Sequence, residues 1–329
     1  MKIHYFFRHP KVGHSIHRVF RTIIEEIGKS NIVEIIEMPK KGSKPNDVLK
    51  NNIFTYKKRS KNTIHHVTGH IHDVLLALIG VKTVLTIHDL VFLDNVKNPI
   101  KKFIKWFLWL YIPVKIANEV VCISNQTKKN ILTKIKSNKL NVIYNPIDPI
   151  FEYVENKFNK EKPVILHIGT GWNKNLKKSI EALNNISCHL RIIGNLKKEQ
   201  VVLLEKYNIE YSNATNLTDQ EIKEEYINCD IVNFPSLYEG FGMPIIEGQK
   251  TGRIVITSEI EPMIEVSDNA VAFIDPNDEN SLKNMYLKCI NNDEFRCEVI
   301  KKGLVNAERF SVTNIANQYI KLYKNLIER

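Results

Sequence analysis

Short apolar runs bounded by Gly, Pro, Asn or Asp recur through the sequence, with helix-spaced segments between them. Residues 3–7, 31–36, 63–67, 83–87, 119–123 and 141–144 read as strands in the first half, and 164–168, 190–193, 231–234 and 254–257 in the second. Apolar residues three and four apart predict helices over 16–28, 176–185, 280–290 and 313–327. Thr218-Asp219-Gln220-Glu221 has the reciprocal side chains of a capping box and opens a helix to about Asn228. Ser124 reads as the N-cap of another. The polar, turn-rich residues 40–50 predict a surface loop. Strand, loop and helix in alternation predict an α/β protein built from βαβ units. The rhythm stops at Pro146, Pro149 and Pro163 and then restarts. This predicts a first domain over 1–148, a hinge at 149–162, a second domain over 163–311 and a closing helix over 312–329.

One stretch carries chemistry: Phe234-Pro235-Ser236-Leu237-Tyr238-Glu239-Gly240-Phe241-Gly242-Met243-Pro244-Ile245-Ile246-Glu247-Gly248. It runs from an apolar strand through a loop into a helix. Gly240 and Gly242 permit a left-handed backbone and let a ligand come close to the N–H groups. Pro244 suits the first turn of a helix, where its missing donor costs nothing. The helix start then aims unpaired N–H groups and a positive dipole end into the loop, a site for an anion such as a diphosphate. Glu239 and Glu247 flank that loop, and ionised carboxylates accept the paired hydroxyls of a sugar or ribose. Lys174, in the loop Gly169-Thr170-Gly171-Trp172-Asn173-Lys174-Asn175 after a strand, is placed to offset charge that grows on a departing phosphate.

The 234–248 stretch resembles the signature of the family 4 retaining glycosyltransferases of the GT-B fold. The resemblance implies two Rossmann-like domains facing across a cleft, with the last helix packed back on the first domain. It implies that Glu239 lies near the transferred hexose, that Glu247 holds the ribose, and that the amides of Phe241, Gly242 and Met243 meet the sugar and diphosphate. Lys174 would bind the donor phosphates beside Gly169, and Asn216 and Leu217 would border the base. Many members carry an Arg where this chain has Thr170, which leaves a second phosphate cation unassigned. In the first half, Thr86-Ile87-His88-Asp89 is similar to a family stretch whose His contacts the donor sugar; the rival reading of His88 is a core histidine bonded to backbone. Asp89 either orients the acceptor hydroxyl or caps the next helix. Gly13, with His14, lies in the first strand–helix loop, across the cleft from the donor in the resembled fold; a plain turn is the alternative there. Family members need no divalent metal or other cofactor, and the nucleotide-sugar donor is itself a substrate. These features and Asn145-Pro146-Ile147-Asp148 lean toward bacterial mannosyltransferase-like enzymes of surface polysaccharide assembly, with a glycan or lipid-linked acceptor.

Composition narrows the alternatives. The 329 residues carry a formal net charge of +11, which implies attraction to phosphates or an anionic membrane surface. The basic residues read as spread widely and no recognition module is present, so nucleic acid is not an expected partner. Five cysteines without Cys-x-x-Cys spacing read as reduced thiols. The opening Met1–Tyr5 reads as a strand, not a signal peptide, and no apolar run reaches the roughly 20 residues of a membrane span. A cytoplasmic location is expected. Residues 98–115 combine Lys101, Lys102 and Lys105 with Trp106 and Trp109, which fits either peripheral contact at the inner face of the membrane or a buried helix with a basic edge. Rival functions are a nucleotide-sugar epimerase or phosphorylase on the same fold, and a non-catalytic basic binding protein.

Overall fold

The computed structural model describes residues 1–12 and 14–328, so the expectation for Gly13 lies outside the described residues. The chain divides into two compact units, Met1–Pro146 with Val312–Arg329, and Ile147–Ser311.

Unit 1 contains β1 (Lys2–Phe7), α1 (His14–Gly28), β2 (Ile32–Glu37), α2 (Pro45–Lys58), β3 (Ile64–Val67), β4 (Thr83–Ile87), α3 (Val91–Asp94), α4 (Pro99–Trp106), α5 (Ile112–Ile116), β5 (Glu119–Cys122), α6 (Asn125–Leu132) and β6 (Leu140–Val142). Its sheet has the order β2-β1-β3-β4-β5-β6, with every pairing parallel. Unit 2 contains β7 (Val164–Ile168), α7 (Leu176–Ala182), β8 (His189–Ile193), α8 (Lys198–Lys206), β9 (Tyr211–Ala214), α9 (Asp219–Ile227), β10 (Ile231–Phe234), α10 (Met243–Lys250), β11 (Ile254–Ser258), α11 (Met263–Ser267), β12 (Ala272–Ile274), α12 (Glu279–Asn291) and α13 (Asp293–Ala307). Its order is β12-β11-β10-β7-β8-β9, again all parallel. The closing helix α14 (Val312–Glu328) is part of unit 1. There the Tyr323 hydroxyl meets Tyr5 and His66 Nδ1, and His66 Nε2 meets Thr86.

Both sheets are α/β and doubly wound, with cores of Ile, Leu and Val from the central strands. In unit 2 the chain leaves β7 in one direction through β8 and β9 and returns on the other side with β10. The strand order therefore reverses between β7 and β10, and the crevice beyond the carboxyl ends of such a pair is where open parallel sheets take ligands.

Two local expectations are corrected. Residues 40–50 are not all loop: Pro45 begins α2. Its inward positions are Asn51 and Thr55, and Asn51 pairs with both the N–H and the C=O of Lys40, so no apolar stripe marks the helix. Residues 98–115 are not one helix; α4 and α5 are joined by a π-helical turn, Phe107–Tyr111. The expected hinge, 149–162, falls within unit 2, where Arg253 donates to the Val154 carbonyl and Asp230 accepts from the Asn159 and Val164 amides.

Candidate functional site

The loops after β7 and β10 meet at the strand-order reversal of unit 2. Gly169 ends β7 with φ of 93°, and a Cβ there would lie 2.9 Å from Lys174 Cγ. The glycine thus makes room for the lysine stem to cross the backbone. Lys174 Nζ donates to Glu239 Oε1 at 2.6 Å and sits 4.7 Å from the centre of the Phe234 ring. Asn173 Nδ2 donates to the same Glu239 oxygen and to the Tyr238 carbonyl, each at 3.1 Å, while its own carbonyl accepts from the Leu237 amide. Asn175, left-handed with φ of 60°, donates to the carbonyls of Pro235 and Pro276. The two loops are therefore laced together, with a cation and a carboxylate in contact at their crossing.

Beneath them lies a buried polar layer. Asn233 Nδ2 donates to His167 Nδ1 at 3.0 Å and to Ser179 Oγ at 2.9 Å. Burial first, and then the charge of Lys174, holds the His167 ring at a pKa of about 3, so it is neutral at physiological pH.

Gly242 carries the left-handed turn, φ 111°, and is the N-cap of α10, with Pro244 in the first turn. Seating this helix close to the sheet needs Gly248, where a Cβ would stand 2.8 Å from Val255 Cγ2. The helix start faces the loop with its partial positive charge, as the sequence implies. Phe241 is buried on Phe310, and Met243 is half-buried. Glu247 differs from Glu239: it is 2% exposed and accepts the Tyr226 hydroxyl at 2.7 Å. Thr170 spends its hydroxyl on the Asn195 carbonyl, so that side chain does not replace an arginine. Asn216, with φ of 56°, and Leu217 follow β9, the edge strand on the same carboxyl end of the sheet.

In unit 1, His88 follows β4 at the carboxyl end of the sheet and is buried. Its Nε2–H donates to the Thr68 carbonyl at 2.8 Å, which fixes the tautomer and leaves Nδ1 as an acceptor. Burial and nearby His70 hold its pKa at about 4. The backbone-bonded histidine of the rival reading is thus present. Asp89 accepts from the Val91 amide two residues on, an Asx turn just ahead of α3, whose N-cap is Leu90 without a side-chain cap; the carboxylate lies 3.8 Å from His70 Nε2. Among the described residues, no three His, Cys, Asp or Glu side chains group as a metal site.

Residues 151–304 match the family model described as glycosyl transferases group 1, and residues 9–151 match glycosyltransferase family 4. The chain belongs to the GT-B glycosyltransferases. It is 33% identical to the Escherichia coli O-antigen chain mannosyltransferase B over 33% of this chain and 28% of that protein. It is 27% identical to the Salmonella typhimurium O-antigen chain mannosyltransferase RfbU over 60% of this chain and 58% of that one. These matches span well under two thirds of either relative. The GT-B fold is shared with the crystal structure of Anabaena Alr3699/HepE in complex with UDP and glucose, at a TM-score of 0.80 and 14% identity, over 99% of this chain and 100% of that one.

The structure brings together Lys174 and Glu239, which the sequence singled out beside the start of α10, but their supporting side chains were not foreseen. Asn173 stood in the quoted loop and went unweighed, although an amide beside a lysine can donate where the lysine does. Tyr226 is 21 residues before Glu247, on a different helix, and no spacing rule links them.

Proposed function

We propose that the protein is a retaining, metal-independent hexosyltransferase. It moves a hexose from a nucleoside-diphosphate sugar to a glycan or lipid-linked acceptor in surface polysaccharide assembly. The observation that carries this reading is the 2.6 Å contact of Lys174 with Glu239 beside the glycine-led start of α10. An ammonium and a helix N-terminus supply the positive charge that a diphosphate leaving group needs, and the adjacent carboxylate accepts sugar hydroxyls. On donor binding, Lys174 turns from Glu239 to the phosphates. As the bond from the anomeric carbon to the diphosphate oxygen breaks, the acceptor hydroxyl oxygen bonds to that carbon on the same face. Its proton leaves with the diphosphate. Glu247 holds ribose hydroxyls. Mannose is the favoured sugar, because the O-antigen relatives are mannosyltransferases.

The test is a product assay with labelled GDP- and UDP-sugars and a glycan acceptor, with and without EDTA. Label joined to acceptor with the donor's anomeric configuration, unaffected by EDTA, is expected. Label found only in an isomerised donor or a sugar phosphate would replace the reading by an epimerase or a phosphorylase. Activity that EDTA abolishes and manganese restores would remove the metal-free part.

A further inference from the structure

Unit 1 exposes a surface with its own chemistry. No residue of α4 is buried. Yet Ile100, Phe103, Ile104 and Phe107 are apolar at i, i+3, i+4 and i+7, the spacing of a face that ordinarily packs on a core. Ile100 is 71% exposed and Phe103 61%. The rings of Phe103 and Phe107 stack on each other at 6.2 Å. Beside this face, a groove of about 1180 Å³ runs between α2 and residues 104–109. Leu49, Ile53 and Tyr56 form one wall and Ile104, Leu108 and Trp109 the other. The second wall is pinned where His72 Nδ1–H donates to the Trp109 carbonyl at 2.7 Å. Lys57, Lys101 and Lys105 stand among the lining residues, and no Asp or Glu does.

Charge says what covers such a face. The basicity is not spread widely, as the sequence reading had it. Unit 1 has 28 Lys and Arg against 10 Asp and Glu, a formal +18; unit 2 has 19 against 26, a formal −7; together they make the +11 of the chain. Within residues 97–139 there are ten lysines and one acid, Glu119. Open aliphatic and aromatic side chains ringed by lysines match an anionic lipid surface, where apolar groups enter the acyl boundary and ammonium groups meet phosphates. Among the described residues no helix is long and apolar enough to cross a membrane, so such attachment lies in the interface plane.

We propose that this surface seats unit 1 on an anionic bilayer, with Phe103, Ile104 and Phe107 at the acyl boundary and the α2–α4 groove holding a hydrocarbon chain of one bilayer lipid. The test is cosedimentation of the whole chain with phosphatidylcholine vesicles, with or without phosphatidylglycerol. Partitioning is about tenfold or more stronger with the anionic lipid and falls as salt is raised. The Phe103→Ser/Ile104→Glu double variant loses about tenfold or more of that partitioning. It keeps its thermal midpoint, because both side chains are exposed, and keeps its transfer rate to a water-soluble glycan. Equal partitioning onto neutral vesicles, or a variant that binds as the parent does, overturns the proposal. So does a dimer in solution that the double variant dissolves, which would give the face to a second copy of the chain. Vesicle binding is read without any donor, so its failure is separate from failure of the transfer reading.

Discussion

The Lys174–Glu239 pair makes a prediction in which two variants move in opposite directions. At 2.6 Å, and with the effective dielectric of about 20 that suits partly solvated sites, the gross attraction of the pair is roughly 6 kcal/mol. The side chains are 23% and 15% exposed, so solvent and rotamer entropy reduce the net contribution to folding to about 1 kcal/mol. A donor diphosphate carries more negative charge than the carboxylate and displaces it from the ammonium. Lys174→Ala removes that attraction. It lowers the thermal midpoint by only a few degrees, weakens nucleoside-diphosphate binding, and costs transfer about 3–4 kcal/mol, or 10²–10³-fold in kcat. Glu239→Gln keeps the shape but removes both the competitor for Lys174 and the repulsion of an incoming phosphate. Nucleoside diphosphate then binds as tightly as in the parent or several-fold more so, while turnover falls about 10²-fold because the sugar hydroxyls lose the charged carboxylate and one of its two accepting oxygens. Titration calorimetry with GDP and UDP reads the first quantity and labelled transfer reads the second. If both variants bind nucleotide more weakly, or if Lys174→Ala turns over normally, the exchange of partners at Lys174 is wrong.

Tyr226→Phe takes the 2.7 Å donor from buried Glu247 and costs about 1–3 kcal/mol, seen as a lower thermal midpoint, and it shrinks the preference for a ribonucleotide over its deoxyribose analogue. An unchanged midpoint would mean the hydroxyl does not hold that carboxylate. Gly248→Ala places a methyl 2.8 Å from Val255 Cγ2 and 3.0 Å from Val232 Cγ2, lifts α10 off the sheet, and destabilises by about 1–3 kcal/mol in denaturant titration. A neutral effect would mean that the helix has slack. Burial holds His65 and His88 near a pKa of about 4 and His66, His72 and His167 near about 3, against an ordinary 6.5. Between those values the unfolded chain binds protons that the folded chain does not. Stability is therefore whole above about pH 6.5 and falls as pH drops toward 4, with each histidine adding a slope of about 1.4 kcal/mol per pH unit. A thermal midpoint that stays level from pH 7 to 5 would contradict this.

Much of the molecule was legible because its elements announce themselves in one dimension. The central strands are apolar, and the glycines and proline around Glu239 fix a strand-to-helix turn whatever surrounds it. What stayed hidden depends on partners distant in sequence. Helix α2 buries Asn51 and Thr55 in place of an apolar stripe. Strand β9 is an edge strand of Tyr211, Ser212, Asn213 and Ala214, with too little apolar character to read as one. Asn173 holds Glu239 from 66 residues away, and Tyr226 reaches Glu247 from another helix. The open face of α4 was visible as lysines and aromatic residues, but only three dimensions show that nothing of α4 is buried.

The central claim is that the loops after β7 and β10 grip a diphosphate. A crystal structure with an intact nucleoside-diphosphate hexose tests it most directly. The account predicts the diphosphate at the start of α10, Lys174 Nζ turned from Glu239 to a phosphate oxygen, and Glu239 on the hexose. A donor bound elsewhere, with the 2.6 Å Lys174–Glu239 contact undisturbed, would contradict it.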